Sequence, residues 1–216
     1  IRGSIPTNYR RGEKIMKLLI NEFIKDYKKK TTWLYFLLSF GIILLNSYFA
    51  KRQFEDGVDA VKILSGITVV AAATATIFSL IMLANNLSQE YSKGTIKFLY
   101  TKPKSRSAIL TAKIVLAFIN YIIFLVVGTV FDFVTKNYVF FKNKVGLNHL
   151  NDTITEGYFG RTVAKQIIIT NLADLAVYIF FVAMVVLVCV VFKTQILSLV
   201  LVMLSLLGTG LIQALT

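Results

Sequence analysis

Read along its length, the chain alternates long uncharged apolar stretches with short basic ones. A bilayer core about 30 Å thick takes about 20 apolar helical residues at roughly 1.5 Å each. Residues 33–50 (WLYFLLSFGIILLNSYFA) meet that requirement between Lys28-Lys29-Lys30 and Lys51-Arg52. Residues 63–84, 109–131, 175–192 and 196–215 predict four further spans. Alanine, threonine and glycine in the second of these suit close helix packing in lipid. Lys113, one turn into the third, is near enough to its end to snorkel to the interface. Buried helices of a soluble bundle would carry polar stripes, and these stretches carry almost none. The pattern predicts an all-α integral membrane protein, a polytopic helical bundle with five spans in one transmembrane domain over residues 16–216.

The segment ahead of the first span has a different period. In MKLLINEFIKDYKKK, Met16, Leu19, Ile20, Phe23, Ile24 and Tyr27 share one helical face. Lys17, Asn21, Glu22, Lys25 and Lys28 take the other. A helix that is cationic on its polar side is expected to lie in the membrane interface as an elbow before the chain turns at Thr31. The simpler reading makes it the cytoplasmic start of the first span; the periodicity favours the elbow.

The two ends carry expectations of their own. Residues 1–15 lack this pattern, and Arg10-Arg11-Gly12-Glu13-Lys14-Ile15 stands where a purine-rich ribosome-binding stretch would be translated. They are expected to be an upstream leader to a protein that starts at Met16. Thr216 directly follows a span without a basic or aromatic anchor, so a sixth span is expected beyond it.

Composition narrows the class. The sequence is 56% hydrophobic and 16% charged, against about 45–50% and about 25% in soluble domains. Its net charge of +13 accompanies uncharged runs that a nucleic-acid binder would not carry. Segments 16–32, 88–113 and 193–195 hold twelve Lys and Arg, against eight in 51–62 and the outer loop 135–165. The positive-inside rule then places the amino terminus in the cytoplasm. Lys51, Arg52 and Lys62 in the first outer loop are balanced by Glu55, Asp56 and Asp59.

Candidate chemistry is sparse. One cysteine (Cys189) and one histidine (His149, in a polar loop) argue against a disulfide or a metal site. The sequence holds no G-x-x-x-x-G-K-[ST] loop, so no bound cofactor and no ATP hydrolysis are expected of this chain itself. Asp174 is the one acid near the middle of an apolar stretch. Intramembrane carboxylates bind substrate or carry protons. Residues 175–192 alone are long enough to span, however, and 163–173 would then be an outer interfacial helix with Asp174 at the boundary. Asn120 in the third span is a further pathway candidate; like Tyr121, Asn46 and Ser47, it also suits interhelical hydrogen bonding.

The most specific pattern lies between the second and third spans, in the basic segment 89–113. Gly94 can end the preceding helix. Residues 95–100 (TIKFLY) predict a short helix with Ile96, Leu99 and Tyr100 along an apolar edge. Pro103 stops it, and Ser105 can cap the next helix. A short helix lying across the cytoplasmic face and joined to two spans can carry a push from a soluble partner into the membrane.

This segment resembles the loop of bacterial type-2 ABC transporter permeases, roughly E-x-x-x-G-T-I-x-x-L-x-x-x-P-x-S-R-x-x-I-x-x-x-K. The matching residues are Glu90, Gly94, Thr95, Ile96, Leu99, Pro103, Ser105, Arg106, Ile109 and Lys113. The amphipathic helix, with Leu19, Ile20, Phe23, Ile24 and Tyr27, is similar to that family's elbow helix. The short turn Lys193-Thr194-Gln195 fits as well. The resemblance covers most of 16–216, but its specific motif is confined to 90–113, and family members usually have six spans.

The resemblance implies that residues 95–100 form a coupling helix seated in a groove of a separate ATPase, flanked by Glu90 and Arg106. ATP and magnesium would belong to that partner. A second permease chain, identical or paralogous, would complete the path through the bilayer of the bacterial cytoplasmic membrane, with no role for nucleic acid. An exporter of antimicrobial or toxin peptides, drugs or lipids follows by analogy. An ATPase-independent channel or secondary transporter would need more intramembrane charge or broken helices. A non-transporting anchor or sensor subunit would use the loop for docking alone.

Overall fold

A computed structural model describes residues 7–53, 59–92, 106–154 and 160–192, together with residue 200. Helix α1 covers Thr7–Tyr27, α2 Lys30–Gln53, α3 Ala60–Ser65, α4 Val69–Ser92, α5 Arg106–Val134 and α6 Val163–Phe192. Among the described residues, four helical stretches are long and apolar enough to cross a membrane: Lys30–Gln53, Ala60–Gln89, Ile109–Phe140 and Val163–Phe192. The fifth expected span, 196–215, lies outside the described residues, as does the short turn 193–195. The fold is all-α and membrane-spanning, as the apolar runs predict.

The chain divides into two compact units. The first gathers Ile1–Trp33, Ser79–Ile119 and Phe180–Thr216; the second gathers Leu34–Phe78 and Asn120–Ile179.

In the first unit, α1 begins at Thr7, ahead of Met16, and runs unbroken to Tyr27. Met16, Ile20 and Ile24 are exposed along its apolar face, the arrangement a helix needs to lie in the interface. Phe23 and Tyr27 stack at 4.5 Å. The last carbonyls of a helix have no partner within it. Here Thr32 Oγ1 donates to Asp26 O at 2.6 Å and Trp33 Nε1 donates to Tyr27 O at 3.2 Å. Those two bonds fix the corner between α1 and α2. The core of this unit is aliphatic, with Leu80, Leu83, Leu87, Leu116, Val185 and Cys189 buried.

The second unit is held by aromatic and small residues. Phe36 stacks on Phe124 at 4.1 Å, and Phe40 packs on Phe131 at 4.4 Å. A Cβ on Gly128 would stand 3.3 Å from Ala71 Cβ, so glycine allows α5 to approach α4 closely. Ser39 Oγ donates to Thr74 Oγ1 at 3.1 Å, bridging α2 and α4.

Three boundaries differ from the apolar runs. Gly66 caps α3, so the second apolar run is a short helix, a turn and a long helix. Asp59 Oδ1 accepts from Val61 N and Lys62 N and starts α3. The third run does not stop near Phe131. It continues through Val134 into a π-helical turn, Thr135–Phe140. The reason is electrostatic: Asp132 Oδ2 and Lys136 Nζ pair at 2.8 Å one turn apart, and Ser47 Oγ donates to Asp132 Oδ1 at 3.0 Å. Both charged groups are buried, so each neutralises the other where water cannot.

The segment 135–165 is more than a basic connection. A 3-10 turn spans Leu147–Asn151, and Thr153 bridges antiparallel to Thr162. Phe141, Val145, Ile154 and Val163 close with Ile63, Leu64 and Ile67 of the α3 region into one apolar cluster. At its edge, Lys51 lies 6.0 Å from the Phe140 ring, while Arg52 lies 5.1 Å from the Tyr48 ring.

Candidate functional site: a buried polar joint beneath the spans

Lys113 is the least expected residue of α5. The sequence reading has it snorkelling; in the structure its side chain is 2% exposed. Its Nζ donates to Asn86 O at 2.9 Å and to Glu22 Oε2 at 3.4 Å. A buried ammonium needs an opposite charge and hydrogen-bond acceptors, and α1 and α4 supply them.

Asn86 links the rest. Its Nδ2 donates to Asp26 Oδ2 at 2.6 Å, and its Oδ1 accepts from Lys29 Nζ at 2.8 Å. Lys29 also donates to Asp26 Oδ1 at 2.9 Å. Asp26 is 1% exposed. Two carboxylates, two ammonium groups and one amide therefore join α1, the corner after it, α4 and α5, and the exposed Lys25 adds a third ammonium 3.7 Å from Glu22 Oε1. Burial raises the Tyr27 hydroxyl to about 12, and the adjacent Asp26 carboxylate pushes it the same way. At neutral pH it stays a neutral phenol beside the joint.

Sequence reasoning placed Glu22 on the solvent-facing side of the amphipathic helix and did not single out Asp26, Lys29 or Asn86. One signal was available. A lysine inside an apolar run needs a counter-charge, and Glu22 and Asp26, four residues apart, share a face of α1. The two helices tied by Lys113 and Asn86 are the ones that flank the basic segment: α4 ends at Ser92 and α5 starts at Arg106. Glu90 and Arg106 belong to those helix ends, although the placement of their side chains is outside the described residues. Gly94, Thr95, Ile96, Leu99, Tyr100, Pro103 and Ser105 lie outside the described residues altogether.

The two pathway candidates fall in the second unit. Asp174 is half-buried on a helix that runs without a break from Val163 to Phe192, about 45 Å at roughly 1.5 Å per residue. No separate interfacial helix precedes it. Asn120 is buried and partnered. Its neighbour Tyr121 stacks on Tyr178 at 4.2 Å. His149 is exposed and pairs with Asp152 at 2.7 Å. Among the described residues no group of His, Cys, Asp and Glu could hold a metal ion.

A helical chain with four long apolar helices among its described residues, and a joint of paired charges at the two that border a basic segment, has the build of a polytopic transport subunit. A family model described as ABC-2 family transporter protein matches residues 18–208. The chain belongs to that family, and it is a multi-pass membrane subunit of an ABC transporter. No curated protein matches it, and no solved structure does.

Proposed function

We propose that this chain is the permease of an ATP-driven exporter in the bacterial cytoplasmic membrane, with its amino terminus in the cytoplasm. Two permease chains surround the translocation path, and two separate ATPase subunits dock on segment 88–108, residues 95–100 seated in their grooves. ATP and magnesium are bound by those subunits. The substrate is an antimicrobial or toxin peptide, a drug or a lipid, by family analogy.

The observation that carries this reading is the joint. Force applied between Ser92 and Arg106 reaches α4 and α5 at their ends. There Asn86 and Lys113 bind the two helices to each other and to α1. A loose connection would dissipate a push as local bending. A network with buried charges at both ends resists separation, because pulling one partner away leaves the other uncompensated. Closure of the ATPases would then move α1, α4 and α5 together, as packed elements shift between two arrangements.

Purification in mild detergent from the native host tests this. Wild-type protein is expected to bring down an ATPase subunit with a phosphate-binding loop, and the double variant Ile96→Asp/Leu99→Asp to lose it while still running as a monodisperse species. An ATPase retained by that variant overturns docking through this segment. Substrate-stimulated ATP turnover in proteoliposomes separates an exporter from an anchor.

A further inference from the structure

Among the described residues Tyr121, Asn171 and Asp174, on the facing sides of α5 and α6, lack partners that a nonpolar surrounding demands. Asn171, Asp174 and Tyr178 stand at i, i+3 and i+7 of α6, one face of a helix. Tyr178 stacks on Tyr121 of α5, bringing that residue to the same face. Among the described residues the Tyr121 hydroxyl has no hydrogen-bond partner, and the residue is 1% exposed. Asn171 spends its Nδ2 on Ile167 O at 2.8 Å, leaving its buried Oδ1 unpartnered. Asp174 has neither ion pair nor hydrogen bond among the described residues, and it stands one turn before Tyr178 on the same face.

Within a span each unsatisfied polar group is costly, and ionisable residues there face a pathway or a partner and mark what passes. The unused atoms have one chemistry. A carboxylate and an amide oxygen only accept, and a phenol can accept. Among the described residues no cation pairs with any of them. Phosphate, carboxylate or a second acceptor would be repelled, whereas an N–H-bearing cation would satisfy all three.

We propose that Asp174, Asn171 and Tyr121 form an intramembrane site for the ammonium or guanidinium group of a cationic amphiphile. This assignment rests on the reading of the chain as a transport subunit and adds the substrate's charge to it. Asp174 supplies the counter-charge. The two neutral oxygens accept the remaining N–H groups and select against quaternary cations, which have none to give.

The test uses the full chain alone in nanodiscs, without any ATPase, so its failure is separate from failure of docking. The probe is dansylcadaverine, a fluorescent primary amine, against its N-acetylated neutral form, read by fluorescence polarisation. The amine is expected to bind about tenfold more tightly than the neutral form. Asp174→Asn should abolish that preference, Asp174→Glu should keep most of it, and Tyr121→Phe should weaken amine binding several-fold. Equal binding of the two probes, no binding of the amine, or a preference that survives Asp174→Asn overturns the site. Should Asp174→Asn fail to fold, unchanged amine binding by Tyr121→Phe overturns it instead.

Discussion

Asn86 donates from its side-chain amide to Asp26 at 2.6 Å, across 60 positions of sequence. Neither residue belongs to a recognisable motif. Together they convert an amphipathic helix that could drift along the bilayer surface into one fastened to the second span.

The first prediction concerns this contact. Asp26→Ala strands Lys29 and Asn86, and breaking a buried pair by removing one member costs about 3–5 kcal/mol. Thermal unfolding in detergent should show a large drop. The comparison is Asp152→Ala, which removes an exposed pair with His149 and should change stability by about 0–1 kcal/mol.

A second prediction separates charge from packing in the Asp132–Lys136 pair. Lys136→Met leaves the buried Asp132 carboxylate uncompensated, with Ser47 as its one remaining donor among the contacts that hold it. Severe loss of stability is expected. The double variant Asp132→Leu/Lys136→Met, which removes both charges, should recover most of that loss. A double variant no better than the single one would show that the pair does more than neutralise itself.

At Gly128 the expected outcome depends on size. Alanine puts a methyl 3.3 Å from Ala71 Cβ and 3.4 Å from Ile43 Cδ1; a shift of the Ile43 side chain relieves the second, and the first needs α4 and α5 to part by a few tenths of an ångström. Leucine has no such room and should cost about 1–3 kcal/mol or more through forced separation of the helices. The stability difference between the two variants measures how closely α4 and α5 must approach.

Tyr27 yields a prediction in alkali. Its folded-state value of about 12 lies above the ordinary 10, so the folded protein holds this proton where the unfolded chain has lost it. Tyr27 therefore contributes stability that is present below pH 10 and lost as pH rises through 12. The tyrosinate difference titration between wild type and Tyr27→Phe should have its midpoint near 12.

The apolar runs made the spans legible, because a lipid-crossing helix must be uncharged over about 20 residues whatever its neighbours. The period of α1 was legible for the same local reason. Ser47 was legible as an interhelical hydrogen-bonding residue and bonds Asp132 across 85 positions, but most of the buried charged groups were missed. The helix α4 runs on past the apolar run to Ser92, close to the stop at Gly94 that the sequence offers, but nothing in Asn85, Asn86, Ser88 and Gln89 announces that Asn86 binds Asp26 and Lys29. Asp132 and Lys136 read as the start of a loop, yet their mutual pairing carries the helix onward. Glu22 read as a solvent-facing residue because Lys113, its partner, lies 91 positions away. The break at Gly66 was hidden inside an unbroken apolar run, where hydropathy says nothing of backbone direction.

The joint of Glu22, Asp26, Lys29, Asn86 and Lys113 is largely dry, with Lys25 at its exposed rim. Dissolved ions screen attractions between groups in water, over about 8 Å at physiological concentration, and reach enclosed ones far less. A concentrated brine that strips peripheral proteins off the lysine-rich surface would leave this knuckle aligned.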